Sequence, residues 1–122
     1  MGLNKKFSKS DAFRIVAQKH NFVNSSNCSY SSPNKATGNW WLEQKIEKFE
    51  KDLYLILFDD KNNTLHLLKI SAGSFSDVQK QLHIRADKPY VTMHIPFTEN
   101  KNFIENDSNL SFNKFYLETF KI

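Results

Sequence analysis

The sequence predicts an α+β fold: a mainly antiparallel, twisted sheet or open pseudobarrel with about three short helices. Three observations carry that expectation. Residues 53–58 (LYLILF) are six consecutive apolar side chains. A strand with one wet face alternates apolar and polar positions, whereas a strand covered on both faces need not. Six residues between charged and turn-forming clusters are also too few for a buried helix. Second, Asp59-Asp60-Lys61-Asn62-Asn63 is polar and turn-forming, and residues 64–70 (TLHLLKI) read as a strand returning antiparallel. Third, residues 40–46 (WWLEQKI) read as another strand, so the three form the central meander of one sheet on which the other segments pack.

In chain order, residues 1–7 read as a loose N-terminal arm. Ser8 or Ser10 can cap a helix starting near Asp11, whose carboxylate suits the positive helix end. Phe13, Val16 and Ala17 fall on one face of that helix. Residues 24–38 are dense in Ser and Asn, with Pro33 and Gly38 as breakers, and read as a loop. In the strand at 40–46, alternate residues face opposite ways. Trp40, Leu42 and Ile46 then look inward, and Trp41, Glu43 and Lys45 outward. Phe49 is the inward residue of a charged connection. Ser76 to Gln79 has capping-box spacing for a short helix to about Leu82. Residues 90–95 alternate, with Val91, Met93 and Ile95 inward and Tyr90, Thr92 and His94 outward, and Pro96 ends the strand or marks an edge. Residues 100–109 read as a polar loop. Ser111 begins a last helix carrying Phe112, Phe115, Tyr116 and Phe120 at helical spacing.

The 122 residues suit one domain, 1–122, and its eleven Phe, four Tyr and two Trp let a small core fill with few side chains. The single Cys28 excludes an intrachain disulfide and a multi-cysteine zinc site, and points to a reducing, cytoplasmic setting. No apolar run approaches membrane-spanning length and no apolar signal core opens the chain, so no membrane association is expected. The net charge of +4 is uneven. Residues 1–40 hold Lys5, Lys6, Lys9, Arg14, Lys19 and Lys35 against Asp11 alone, and residues 61–95 are also basic. Concentrated positive charge suits a polyanion.

Two constellations compete for function. The binding set is Asn24, Ser25, Asn27, Tyr30, Asn34 and Lys35 in the Ser/Asn-rich loop, the outward Trp41, and the basic stretch His83, Arg85 and Lys88. Lys and Arg contact phosphates, Asn, Ser and Arg read base edges, and an aromatic ring stacks on an unpaired base. The enzymatic set is Glu43 and Lys45, which share a strand face, so the carboxylate can hold Mg²⁺ while the lysine orients water. Its bland counterpart is a solvated strand face with an ion pair. Asp59-Asp60 is ordinary turn chemistry. His20, His66, His83 and His94 lack close ligand spacing, so no metal site and no cofactor is expected unless Glu43 and Lys45 act with Mg²⁺. Cys28 has no neighbour that would depress its pKa.

The strand GNWWLEQKI, the strand DLYLILFDD with its hairpin to TLHLLKI, and the closing FIENDSNLSFNKFYLETF together resemble pieces of bacterial restriction systems. They look like PD-(D/E)xK endonuclease portions, or like N-terminal DNA-recognition domains of McrBC-like or LlaJI-like restriction GTPases, some similar to the plant-type pseudobarrel. The resemblance implies a recognition module of a defence system, working on double-stranded DNA within a larger restriction complex and without catalysis of its own. Its alternative is an Mg²⁺-dependent nuclease. The chain departs from the nuclease pattern at Asn34, where an acid is expected after Pro33. A third reading is a protein-interaction domain such as a phage inhibitor, for which the basic segments carry no special meaning.

Overall fold

The computed structural model describes residues 7–24, 26–75, 77–97 and 103–122. Ser8 starts helix α1 (Lys9–Ala17): its Oγ accepts the Asp11 N–H at 3.1 Å and Asp11 accepts the Ser8 N–H at 3.0 Å, a reciprocal cap. Eight strands follow: β1 (Cys28–Ser31), β2 (Pro33–Asn34), β3 (Asn39–Lys45), β4 (Leu53–Asp59), β5 (Thr64–Ile70), β6 (His83–Ile84), β7 (Tyr90–Pro96) and β8 (Tyr116–Lys121). They form two sheets of four, ordered β1-β4-β5-β8 and β2-β3-β7-β6. The β1–β4 pair is parallel, and every other pair is antiparallel.

The apolar run of β4 follows from its place in three layers. Leu53, Leu55 and Leu57 enter a core between the sheets, where they meet Leu42, Val91, Met93 and Ile95. Tyr54 and Ile56 enter a second core, against Ala12 and Val16 of α1. Each fully buried aliphatic side chain contributes about 1.5–3 kcal/mol. The second sheet faces the first on one side, where β3 and β7 place apolar residues; their other side is polar, exposed at Trp41 and Lys45 but buried at Thr92. Trp40 is 3% exposed and donates its indole N–H to the Phe58 carbonyl at 2.7 Å, whereas Trp41 is 48% exposed.

The architecture corrects the sequence reading in several respects, beginning with the Ser/Asn-rich segment over residues 24–38: expected as a loop, it supplies β1 and β2, which pair with β4 and β3. The sheets keep separate edge strands and close into no pseudobarrel. β3 does not join β4 and β5 in one meander: a 3₁₀ turn, Ile46–Glu50, separates them, and its Phe49 is buried between the sheets. About three helices reduce to α1, a single turn α2 (Val78–Gln81) and two 3₁₀ turns. The expected cap Ser76 lies outside the described residues, as does the arm over residues 1–6; Phe7 packs 4.7 Å from Phe58. The expected last helix is instead the 3₁₀ turn Asn113–Phe115 followed by β8. Phe112 and Phe115 serve the inter-sheet core and Phe120 packs against the other one, a division across a sheet that a single helix face cannot make. Pairing with the free edge of β5 satisfies the β8 backbone in place of helical bonds. No helix among the described residues is long and apolar enough to cross a membrane.

Candidate metal centre on the outer face of the second sheet

Strand register decides which polar residues meet. Trp41 pairs with His94, Glu43 with Thr92 and Lys45 with Tyr90 across β3 and β7, while His83 of β6 pairs with Thr92. Paired residues share a face, so all of these lie on the side of the sheet away from the inter-sheet core. Asn34 of β2 pairs with Asn39 and joins them.

After β7 the chain folds back along the edge of β7 that β6 leaves unpaired, and meets the His94 backbone there. Residues 104 and 111 form a bridge, and Asn106 donates its backbone N–H to the His94 carbonyl at 2.7 Å. Glu105 is fully buried there: one oxygen accepts the His94 backbone N–H at 2.8 Å and the other the Ser108 N–H at 2.8 Å. Two residues on, the half-exposed Asp107 places an oxygen 2.9 Å from His94 Nδ1. One donor atom each from His94, Glu105 and Asp107 thus lies within 4.8 Å of the other two. The His94 ring is further fixed by Trp41, whose ring lies nearly parallel at 13° and 6.3 Å between centroids.

This cluster overturns the expectation of no metal or cofactor. His94 and Asp107 are thirteen positions apart and meet only because the loop returns along the edge of the strand. The two carboxylates still have lone pairs beyond those given to the backbone and His94. One imidazole nitrogen with two carboxylates suits Mn²⁺ or Zn²⁺, since Mg²⁺ prefers an all-oxygen shell. Glu105 and Asp107 went unrecognised as ligands in the sequence. The signal available was their i, i+2 spacing in a loop that follows an outward histidine.

The other candidate residues fall into separate places. Glu43 receives Arg85 Nη1 at 3.0 and 3.2 Å, so its carboxylate is engaged by a guanidinium, while Lys45 is exposed. Arg85 also grips Asp87 at 2.9 and 3.0 Å, which holds the Asp87 carboxyl below its usual range. Lys88 sits 6.0 Å over the Tyr90 ring, and His83 is exposed. Asn34, Lys35 and Trp41 line one cleft of about 490 Å³ with Tyr30, Ser31, Ser32 and Pro33. Lys35 pairs with Asp60 at 2.8 Å but remains mostly exposed. The Tyr30 ring packs toward the α1 layer and its hydroxyl is buried. Burial, then the charge of Asp11, pushes its pKa up to about 12.

Asn24 and Asn27 spend their side chains on their own turn, accepting Ser26 and Asn24 N–H groups and donating to the Phe22 carbonyl. Asn27 faces a different cavity, of about 640 Å³, lined by Glu47, Glu50 and Asp52 as well as Lys48 and Lys51. Ser25 lies outside the described residues. Among the described residues the basic charge does not converge either: α1, with Arg14, lies beyond the first sheet, and Arg14 and the following Lys19 pair with Asp11 and Glu118. Cys28 is buried, which pushes its thiol up to about 12 and keeps it protonated at neutral pH. No protein-family model, curated protein or solved structure matches the chain.

Proposed function

We propose that the outer face of the second sheet is a divalent-metal-dependent surface that acts on nucleic acid, with Mn²⁺ or Zn²⁺ held by His94, Glu105 and Asp107. The observation that carries this reading is the convergence of those three donors within 4.8 Å, on the face that also presents Trp41 and Lys45. A bound divalent ion would polarise a phosphate oxygen and acidify a water molecule. The chain's own contribution is to hold the set rigid: β7 fixes His94, backbone N–H groups fix Glu105, and the return loop carries Asp107. The metal-dependent alternative to pure DNA recognition thereby gains ground, with its ligands on β7 and the return loop and Glu43 tied to Arg85.

The test is calorimetric titration with Mn²⁺ and Zn²⁺ on wild type, His94→Ala and Asp107→Asn, alongside a cleavage assay on single- and double-stranded DNA with and without the ion. Saturable binding to the wild type that falls at least tenfold in both variants supports the reading. Equal binding by wild type and His94→Ala removes it.

A second reading, metal-free DNA recognition within a restriction or defence system, is favoured by the gathering of Asn34, Lys35 and Trp41 around one cleft. It is distinguished by DNA binding without saturable Mn²⁺ or Zn²⁺ binding and without cleavage.

A further inference from the structure

We infer that Trp41 is a stacking platform for an unpaired nucleobase, so that the nucleic acid engaged by this face is single-stranded where it crosses β3. The inference rests on the nucleic-acid reading above and names its substrate class.

Four observations carry it. Trp41 keeps 48% of its surface exposed, while its sequence neighbour Trp40 is buried, so strand alternation presents one large ring to solvent. That ring has a neighbour that orients it: it lies nearly parallel to His94, 6.3 Å between centroids. It also forms a wall of the 490 Å³ cleft shared with Ser32, Asn34 and Lys35, a volume within the range of small-molecule sites. Within the cleft, Asn34 Oδ1 accepts the Ala36 N–H, which leaves its amide N–H₂ available among the described residues to meet a base edge. A stacked base needs a ring face, a wall and a few polar groups at its rim, and these are present together.

The same face disfavours a duplex. A sheet surface offers no helix or protruding ribbon to a groove, and Glu43, Asp87 and Asp107 lie among its cations. Lys35, which lines the same cleft as Trp41, is the side chain assigned to a phosphate. Its ion pair with Asp60 is at the surface, where such pairs are weak and readily exchanged for a phosphate.

The experiment measures binding of a short single-stranded oligonucleotide, and of the same sequence as a duplex, to the full chain in a chelating buffer. Anisotropy and quenching of tryptophan emission give independent readouts. Because Trp40 is buried, quenching reports on Trp41. We expect the single strand to quench and to bind more tightly than the duplex. Trp41→Ala should lose about ten- to a hundredfold in affinity, and Trp41→Phe, which keeps a ring, should lose much less. Near-ultraviolet circular dichroism establishes that each variant is folded. Duplex binding as tight as single-strand binding, or a folded Trp41→Ala with unchanged affinity, overturns the inference. Binding of neither form also overturns it and turns the exposed indole into a candidate protein contact. Mn²⁺ binding is scored separately on the wild type, so failure of the metal reading and failure of the stacking inference are told apart.

Discussion

The two sheets use the same alternation to opposite ends. At the centre of the first, both faces are covered, by α1 on one side and by the second sheet on the other, and β4 answers with apolar residues from Leu53 to Phe58. In the second, the other sheet covers one face, and the polar half of β3 and β7 gathers Trp41, Glu43, Lys45 and His94 on the opposite side, with Thr92 buried among them. The difference teaches where function has room. A two-sided strand must spend every position on packing, whereas a one-sided strand offers every second position to chemistry at little cost in stability.

The sharpest way to break that comparison is a pair of truncations. Leu55→Ala removes a fully buried side chain from the centre of the first sheet and should cost about 2–5 kcal/mol in urea denaturation. Trp41→Ala, on the open face, should cost well under that, about 1 kcal/mol or less. A loss below about half a kcal/mol for Leu55→Ala would remove β4 from the centre of the fold.

The next effect in size concerns Glu105, the one buried acid among the described residues. Its two oxygens satisfy the backbone N–H groups of His94 and Ser108. Glu105→Gln leaves at least one of these donors facing an amide N–H₂, and an unsatisfied buried group costs about 1–3 kcal/mol. If the site works as proposed, the variant loses Mn²⁺ binding as well. Full stability in Glu105→Gln would show that the return loop is not pinned by this carboxylate.

How much of this was legible in the sequence divides along the same line. The long strands β3, β4, β5 and β7 could be read because period-two alternation and a continuous apolar run are local signals, and parity alone separated Trp40 from Trp41. The grouping of strands into two sheets was hidden, since nothing local says that the turn at Ile46–Glu50 carries the chain out of one sheet before β4 begins. β8 was misread because Phe112, Phe115 and Phe120 recur at helical spacing while serving two different cores. The candidate metal cluster was hidden for a stronger reason: His94 meets Glu105 and Asp107 through loop closure, and the i, i+2 spacing of the two acids does not reveal that they return to His94.

A smaller effect tests how the inter-sheet core is tied to β8. His66 lies edge-on to Trp40 and Phe103, with Nδ1 2.9 Å from the Thr119 hydroxyl. Burial lowers its pKa below the ordinary 6.5, although Asp59 pulls the other way. The unfolded chain therefore takes up this proton first as the pH falls. Stability is unaffected by His66 above about 6.5 and declines below it, toward the lower folded value. The urea midpoint should drop between about pH 7.5 and pH 5, and His66→Gln should flatten that drop. An unchanged pH profile in the variant would assign the effect to other groups.

The smallest expected effect sharpens the comparison most, because it asks how much electrostatics the open face retains. Concentrated basic segments would give a steep salt dependence if they converged, but Arg85 is clamped by Glu43 and Asp87, and α1 lies beyond the first sheet. Among the described residues, the cations left for phosphates on this face are Lys35, Lys45 and Lys88, of which Lys35 must first leave Asp60. Three contacts to a single strand give a slope of log K against log[salt] of about −2, at roughly −0.7 per phosphate. Lys35→Ala should reduce the slope by about 0.7 and weaken all sequences alike, whereas Asn34→Ala should leave the slope unchanged and alter base preference. A slope near zero would mean that no phosphate is held and would leave Trp41 stacking alone. A slope several-fold steeper would require cations beyond the open face, and would return the basic N-terminal segment to the binding surface.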